Sequence, residues 1–326
     1  MKGKFLLLVF LLWAAFCADL VWGSVSLPLH KVWAALTGGE QEEVIRQIVL
    51  NYRLPKALTA LWGGAALSVA GVLMQTLFRN PLAGPDVLGV TSGATLGVAL
   101  LTLGSGILPG FALSAWGQSA AAILGASVLM LAVLLVSLRI SHTVTLLIVG
   151  IMFGYFTSSI VSILQSTSNP DTLKLFITWT FGSLSSVGWE QLQILCPLLL
   201  LGFGVAFGMH KSLNVLLLGD YNAVTMGVSV FRVRCLVIVA SSLLAGAVTA
   251  FTGPIAFVGV TMPHIARGIF RTADHRVLLP ASFLTGSITL LWCDLFSQLP
   301  SQPLPLNAIT ALFGAPILIY IILRKQ

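Results

Sequence analysis

The residues of this 326-residue chain that could carry out chemistry are few and scattered. There are five histidines, four cysteines and ten aspartates or glutamates. No Ser-His-Asp, Cys-His or paired-carboxylate arrangement recurs at a shared depth, and the cysteines lack metal-ligand spacing. Only His264 lies deep in an apolar segment, and a single histidine beside Pro263 is typical of a structural hydrogen bond. The sequence therefore predicts neither a catalytic residue nor a metal site.

Energy coupling within the chain also finds little support. Coupling to protons or sodium needs an ionisable group near the middle of the membrane. Asp294 is the best candidate, but with so few partners we expect it to bond a neighbouring helix. The segment Gly208 to Ser212 superficially resembles a phosphate loop, but it lacks the Gly-Lys pair and the leading glycine spacing. If the chain transports a solute, the free energy could come from a nucleotide-hydrolysing partner.

Composition indicates the environment in which these residues lie. Hydrophobic residues make up 57% of the chain and charged residues only 8%, and the mean hydropathy is +0.99. Soluble domains carry about a quarter charged residues, so a buried core cannot explain this deficit. We predict an all-α integral membrane protein, and the net charge of +7 reflects topology and not nucleic-acid binding.

Windows of about 19 residues predict ten transmembrane helices in a single transmembrane domain that covers residues 1–326. The eighth helix is short for a full span, so we expect it to be tilted or partly enclosed by protein. The predicted extents are residues 5–24, 56–78, 87–104, 115–137, 144–165, 191–209, 232–251, 258–270, 277–297 and 305–323.

The first of these helices could also be a signal peptide, because Lys2 and Lys4 precede an apolar run. No convincing small-x-small cleavage site follows, and apolar character continues to Trp22, which is enough to approach the hydrocarbon thickness. We favour a retained helix.

The positive charges predict the orientation. With ten spans and an inner N-terminus, the 17 lysines and arginines divide into 12 inner and 5 outer, which favours both termini in the cytoplasm. The outer set is Lys31, Arg46, Arg53, Lys56 and Lys174, and the inner set includes Arg79, Arg139, Arg324 and Lys325.

Two kinds of connecting segment stand out between the spans. Pro81 and Pro85 bracket a turn between two apolar runs, and a similar Pro-rich break follows residue 252. Such turns in lipid need protein or water to satisfy the backbone, which suggests a pore lining.

On the outer side, Asp171 is a candidate N-cap for a short helix over residues 172–178. On the inner side, a short helix begins near Asp220 and stops at Gly227. It is an ordinary amphipathic connector or a docking helix for a separate ATPase.

Five segments in order along the chain resemble the FecCD-type permeases of ABC importers, which carry ferric siderophores, haem or vitamin B12. The resemblance covers essentially the whole chain. The segments are RLPK at residues 53–56, GVLMQTLFRNPLAGPDVLGVTSGA at 71–94, GPIAFVGVTMPHIAR at 253–267, DHRVLLP at 274–280 and GAPILIYIILRK at 314–325.

The resemblance implies a BtuC-like type II ABC importer permease with ten transmembrane helices in the bacterial inner membrane. It implies a second permease copy, either as a homodimer or as a pseudo-heterodimer, with the translocation path between them. Cytoplasmic ABC ATPase subunits would use ATP and Mg, and a periplasmic or lipid-anchored substrate-binding protein would dock on the other side. No cofactor is expected on this chain itself, and its other contacts are with membrane lipid.

By position, the resemblance also implies site residues. Asn80 and Leu82, with Thr143 and Val144, are similar to cytoplasmic gate positions. Arg53 and Lys56 are similar to an outer basic pair that receives acidic residues of the binding protein. The segment 219–228 resembles the helix that couples to the ATPase, with Gly219, Asp220, Ala223, Met226 and Gly227 as its marked positions.

The chain departs from the family pattern at Gln298, at Pro303 and at Val224, where arginine, a Glu-x-Pro-x-Gly segment and a basic residue are usual. These departures leave the architecture intact and bear on the docking contacts. A stand-alone secondary transporter or channel is the alternative function, and a membrane-embedded enzyme is a third class. The sequence leaves open which metal chelate is carried.

Overall fold

The computed structural model describes residues 1–23, 27–39, 42–104, 114–140, 142–300 and 303–324, and the part of the chain so described is helical without a β-strand. A π-helical turn (Ile48–Arg53) and a 3-10 turn (Pro85–Leu88) lie between α-helices. The helices are α1 (Lys2–Val21), α2 (Leu29–Thr37), α3 (Glu43–Gln47), α4 (Leu54–Leu77), α5 (Val90–Thr102), α6 (Ala115–Ser137), α7 (Thr143–Thr167), α8 (Pro170–Thr180), α9 (Trp189–Gly208), α10 (His210–Leu216), α11 (Asp220–Thr225), α12 (Val230–Thr252), α13 (Val258–Phe270), α14 (His275–Gln298) and α15 (Leu306–Arg324).

Each of the ten predicted spans overlaps one of these helices, and the all-α membrane fold is confirmed. Within the described residues, seven helices are long and apolar enough to cross a membrane, and Val90–Thr102 and Leu306–Ile321 are shorter apolar helices. The count of ten spans stays a prediction. Helices α2, α3 and α10 were not predicted, while residue 24 at the end of the first predicted span and Lys325 lie outside the described residues.

Helix α4 is the centre of the bundle, because most of its side chains are buried against α12, α13 and α14. Its glycines allow this close packing. A Cβ atom on Gly64 would lie 2.2 Å from the carbonyl oxygen of Gly286 in α14, and the reverse distance is also 2.2 Å. The two backbones are therefore in direct contact, the arrangement that small residues permit between membrane helices.

The start of α4 differs from the prediction, since α3, the π-helical turn and α4 form one continuous helical segment from Glu43 to Leu77. Pro55 explains the wider turn at Ile48–Arg53. Proline has no N–H to donate, and its ring clashes with the carbonyl four residues earlier, so the preceding turn opens. This turn carries Arg53 into the bundle.

Helix α1 is held at both of its ends. Near its start, Lys4 Nζ donates to the Ile269 carbonyl at 2.5 Å, and the ring of Phe5 lies 4.5 Å from that of Phe270. Near its other end, Asp19 is buried against α4 and α14. These contacts are typical of a permanent helix of the bundle, while its retention stays a prediction.

The short helix α8 begins earlier than predicted. Asn169 occupies the N-cap position, Pro170 is the first helical residue, and Asp171 lies in the first turn. The expectation that Asp171 is the cap is wrong, because proline, which has no N–H to lose, fits the first helical position best.

Candidate coupling site and gate

The short helix α11 projects from one end of the bundle, which we call the coupling end. The side chains of Tyr221, Val224 and Met226 are exposed by 82, 63 and 59%. Positive φ angles at Gly219 (105°) and Gly227 (80°) turn the chain at either side of the helix. An exposed apolar ridge of this kind on a short helix is typical of a docking surface for another protein.

Ala223 differs from the other marked positions of α11, because it is fully buried between this helix and the bundle. Its side chain cannot therefore contact a partner, and its predicted part in ATPase coupling stays a prediction. Its role is to seat α11, whereas Met226 remains available on the exposed ridge.

An ion pair ties α11 to the end of α4. Asp220, the first residue of α11, accepts a hydrogen bond from the guanidinium of Arg79. Arg79 has a left-handed backbone conformation with φ of 46°, which strains a residue other than glycine. The next residue is Asn80, so α11 is joined directly to the turn in which the gate positions were predicted.

A second connection runs from α10, the helix before α11, to α14 and α4. Asn214 Nδ2 donates to Asp274 Oδ1 at 2.7 Å, and Asn214 Oδ1 lies 2.6 Å from His275 Nδ1. The other ring nitrogen, Nε2 of His275, lies 2.7 Å from Thr76 Oγ1 in α4. One connection therefore ends just beyond α4, at Arg79, and the other ends on its last turn, at Thr76.

Asp274 supports this second connection as the N-cap of α14. Its Oδ1 accepts the Arg276 backbone N–H at 2.9 Å. That bond, together with the one from Asn214, lowers the pKa of Asp274 from its ordinary value. An ionised cap at this position also suits the positive end of the helix dipole.

The first predicted gate pair lies in a turn that is held by hydrogen bonds. Asn80 Oδ1 accepts from the backbone N–H of Leu82 at 2.9 Å. His264 Nε2 lies 2.7 Å from the carbonyl oxygen of Pro81, which fits its predicted structural role. Leu82 itself is 48% exposed. The turn is therefore anchored while Leu82 is presented at the surface of this chain.

The second predicted gate pair opens α7, where Thr143 is the first helical residue and Val144 is 66% exposed. Helix α7 packs on the turn Pro85–Leu88, and a Cβ on Gly150 would lie 2.3 Å from the Val87 carbonyl. The structure thus brings together the elements that carry the two pairs, and both exposed gate residues face away from the core.

At the opposite end of α4, Arg53 and Lys56 are buried, with exposures of 7 and 5%. Lys56 Nζ lies 2.7 Å from Asp294 Oδ2 and 3.3 Å from Asp19 Oδ1. Arg53 Nη1 donates to the carbonyls of Leu20 at 2.7 Å and Val21 at 2.8 Å. Their partner-docking role stays a prediction, and both side chains are buried within this chain. Asp294 does bond a neighbouring helix, as expected.

Both basic residues also line an open cavity of about 260 Å³ at this end of the bundle. A side chain from outside the chain could enter it and reach the two cations. The lining residues are Gly23, Ile48, Tyr52, Arg53, Lys56, Ser185 and Gln298.

Among the described residues, no three His, Cys, Asp or Glu side chains lie close enough together to bind a metal ion. The four cysteines are unpaired thiols set apart in different helices. The fold and the contacts of the predicted site residues are those of a multi-pass helical membrane protein in which a short exposed helix is joined to the bundle by an ion pair and hydrogen bonds.

Comparison with known proteins identifies the class more closely. The model of the FecCD transport family matches residues 11–324. The chain belongs to this family and is a permease subunit of an ABC importer. It is similar to the vitamin B12 import system permease protein BtuC of Klebsiella pneumoniae, with 34% identity over 327 residues that cover 99% of this chain and 93% of the relative.

Two further matches agree with this assignment. The ABC transporter permease protein YvrB of Bacillus subtilis, itself uncharacterized, is 36% identical over 318 residues, which cover 93% of this chain and 88% of the relative. A solved structure of an ABC transporter, assigned to the metal-chelate type and in an inward-facing conformation, matches with a TM-score of 0.87 and 30% identity. The match covers 99% of each chain, so the resemblance in sequence and in fold extends over the whole permease.

Proposed function

We propose that this permease moves a metal chelate, namely a ferric siderophore, haem or cobalamin, from the periplasm to the cytoplasm. Two comparisons support this class of cargo: one relative is a vitamin B12 import permease, and the matching structure is assigned to the metal-chelate type. The metal is cargo within its chelate, so the chain needs no resident metal and no cofactor of its own.

One observation carries the proposal that transport is powered from outside the chain. The exposed apolar ridge of α11 is joined through Asp220 and Arg79 to the turn that holds Asn80 and Leu82. ABC ATPase subunits that bind ATP and Mg would dock on this ridge. Movement of α11 during the nucleotide cycle would then pull on the gate turn.

The gate requires a second permease copy. Leu82 and Val144 present apolar side chains to the outside of the single chain, which is what residues that close a path between two subunits would do. We favour a homodimer over a pseudo-heterodimer, because one chain then supplies both halves of the gate. Asn80 and Thr143 would hold the two turns in position.

A periplasmic or lipid-anchored binding protein would deliver the cargo at the end of the bundle opposite to α11. The open cavity with Arg53 and Lys56 in its wall suits an inserted acidic side chain, because charge complementarity steers encounter and fixes orientation. Gln298, in place of an arginine, contributes a neutral hydrogen-bonding group there.

We also propose that α11 and both termini lie in the cytoplasm of a bacterium, with the chain in the inner membrane. The split of 12 inner to 5 outer basic residues supports that orientation. Cysteine substitutions at exposed positions, Lys174 for the outer side and Tyr221 for the inner side, would test it by labelling intact cells with a membrane-impermeant thiol reagent. The proposal predicts labelling at position 174 and none at 221 until the cells are opened.

Uptake assays test the cargo. Cells or vesicles with the complete importer would be given labelled cobalamin, haem and ferric siderophores, with an importer whose ATPase cannot hydrolyse ATP as the matched control. ATP-dependent accumulation of one of these chelates supports the proposal, while accumulation of none of them rejects the cargo class. Accumulation that continues without ATPase subunits would instead favour the stand-alone transporter.

A further inference from the structure

Three ionisable side chains from distant parts of the chain meet within the bundle at the Lys56 end of α4. They are Asp19 of α1, Lys56 of α4 and Asp294 of α14, which are exposed by 0, 5 and 4%. The single ammonium group faces both carboxyl groups, at 3.3 Å from Asp19 and 2.7 Å from Asp294. We call these three residues the carboxyl pair and its lysine.

The two carboxyl groups lie close together, because both contact the same ammonium group of Lys56. Among the described residues, no donor reaches Asp19 Oδ2, which is closed off from solvent. An ionised carboxylate can only accept hydrogen bonds, so two ionised carboxylates cannot bond each other. Two buried carboxylates that face one ammonium group need a proton on one of them unless another positive charge lies in contact with the pair.

The neighbouring groups do not remove this requirement. Gln298 Nε2 donates to Asp294 Oδ2 at 2.6 Å, but it is neutral, and so is the thiol of Cys293 beside Asp294. Arg53 attracts Asp19 electrostatically, yet its Nη1 is used by the carbonyls of Leu20 and Val21. Those carbonyls belong to the negative end of the α1 dipole, which offsets part of the arginine charge.

The remaining charged groups on the adjoining helices are directed elsewhere. Lys31 of α2 pairs with Glu42 at 2.6 Å in an exposed position, and Arg46 of α3 faces Glu43. The last turn of α1 contains no basic residue. Lys56 is therefore the one ammonium group in direct contact with the pair among the residues that the structure describes.

We propose that the carboxyl pair and its lysine form a proton-binding site in which one proton is shared between Asp19 and Asp294. Two carboxylates that share a low-dielectric site do not both ionise, because their mutual repulsion and lost hydration are too costly. With one proton bound, Lys56 neutralises the single remaining carboxylate, and Asp19 can donate to Asp294.

The proton can reach this site from water, since Lys56 and Gln298 line the open cavity at this end of the bundle. Its binding joins α1 to α14. Removing it at alkaline pH would leave two adjacent carboxylates against one lysine, and the repulsion would loosen α1. The site is thus expected to be occupied at neutral pH and to empty as the pH rises.

Infrared difference spectroscopy tests the proposal on the full chain in its complex with the ATPase. Asp19→Asn keeps a neutral donor beside Asp294, so we expect normal assembly and an unfolding temperature at neutral pH close to that of the wild type. The wild type should show a carboxylic acid band at neutral pH that the variant lacks. Asp171→Asn, which changes an exposed carboxylate, is the matched control and should leave the band in place.

The pH profile provides the second readout. The unfolding temperature of the wild type should fall from neutral to alkaline pH, and that of Asp19→Asn should fall much less. A band that persists in Asp19→Asn, or identical pH profiles, would overturn the proposal. If Asp19→Asn fails to assemble, Asp294→Asn decides: Asp19 should then ionise against Lys56, so loss of the acid band supports a shared proton and its persistence rejects one.

Discussion

Arg79, just beyond the end of α4, forms an ion pair with Asp220, the first residue of α11. The pair joins the most exposed helix of the coupling end to the most buried helix of the bundle. It is partly exposed, and ion pairs of this kind contribute only about 0 to 1 kcal/mol to stability. The pair is therefore important for the connection that it makes between the proposed ATPase docking helix and the turn that holds Asn80 and Leu82.

Reversing one charge of this pair should uncouple hydrolysis from transport. We expect Arg79→Asp to insert and unfold as the wild type does, while ATP-driven uptake falls by about tenfold, the effect of roughly 1.4 kcal/mol of lost coupling. Adding Asp220→Arg should restore part of the uptake, because the pair is then rebuilt with its charges exchanged. Uptake that is normal in the single variant would remove the pair from the coupling path.

The exposed ridge and the buried face of α11 should respond differently to the same substitution. Met226→Glu places a charge on the exposed ridge, and we expect folding to survive while co-purification of the ATPase is lost. Ala223→Glu buries an unpaired charge, so that variant should fail to fold. Thermal unfolding and co-purification, measured on both variants, separate the outcomes; an ATPase that still binds Met226→Glu would contradict the docking assignment.

The contact between α4 and α14 should tolerate no side chain at Gly64. A Cβ there would lie 2.2 Å from the Gly286 carbonyl oxygen. Gly64→Val must therefore separate the helices, which should lower the free energy of unfolding by about 1 to 3 kcal/mol. Gly204→Ala is the matched control, because no atom within 4 Å opposes a Cβ at that position of α9. Its unfolding temperature should stay level or rise slightly, since alanine favours the helix by up to about 1 kcal/mol. Equal stability of the two variants would show that the close contact is absent.

Asp274 should make stability depend on acid pH. Because its hydrogen bonds lower the pKa of Asp274 in the folded chain, its contribution is complete above the ordinary aspartate pKa of about 3.9 and is lost as pH falls through the folded value. Asp274→Ala removes the cap and should cost about 1 kcal/mol near neutral pH. The difference in stability between wild type and variant should shrink on acidification; a constant difference would count against an ionised cap.

The sequence predicts best those features that depend on the backbone preferences of one or two residues, such as turns and helix ends. The start of α11 at Asp220 and the turn at Gly227 could be predicted because glycine is the residue that adopts a positive φ without strain. The turn bracketed by Pro81 and Pro85 could be placed for a similar reason, since proline ends helices. Helix α10 could not be foreseen, as its seven residues fall between longer apolar runs.

Long-range pairing is what the sequence could not supply. Lys56 looked like an outer surface residue because a basic residue at a helix boundary usually faces water. Its partners are 37 residues away at Asp19 and, in α14, at Asp294, and no periodicity links these positions. The widened turn before Pro55 carries Arg53 inward as well, and its geometry emerges only with the continuous helix from Glu43.

The most direct test of the account is transport by purified components in vesicles. Permease reconstituted with its ATPase and binding protein should accumulate a metal chelate when ATP and Mg are supplied on the α11 side. Permease alone should accumulate nothing under a proton or sodium gradient. Gradient-driven accumulation by the permease alone would contradict the claim that this chain is moved by nucleotide hydrolysis in its partners.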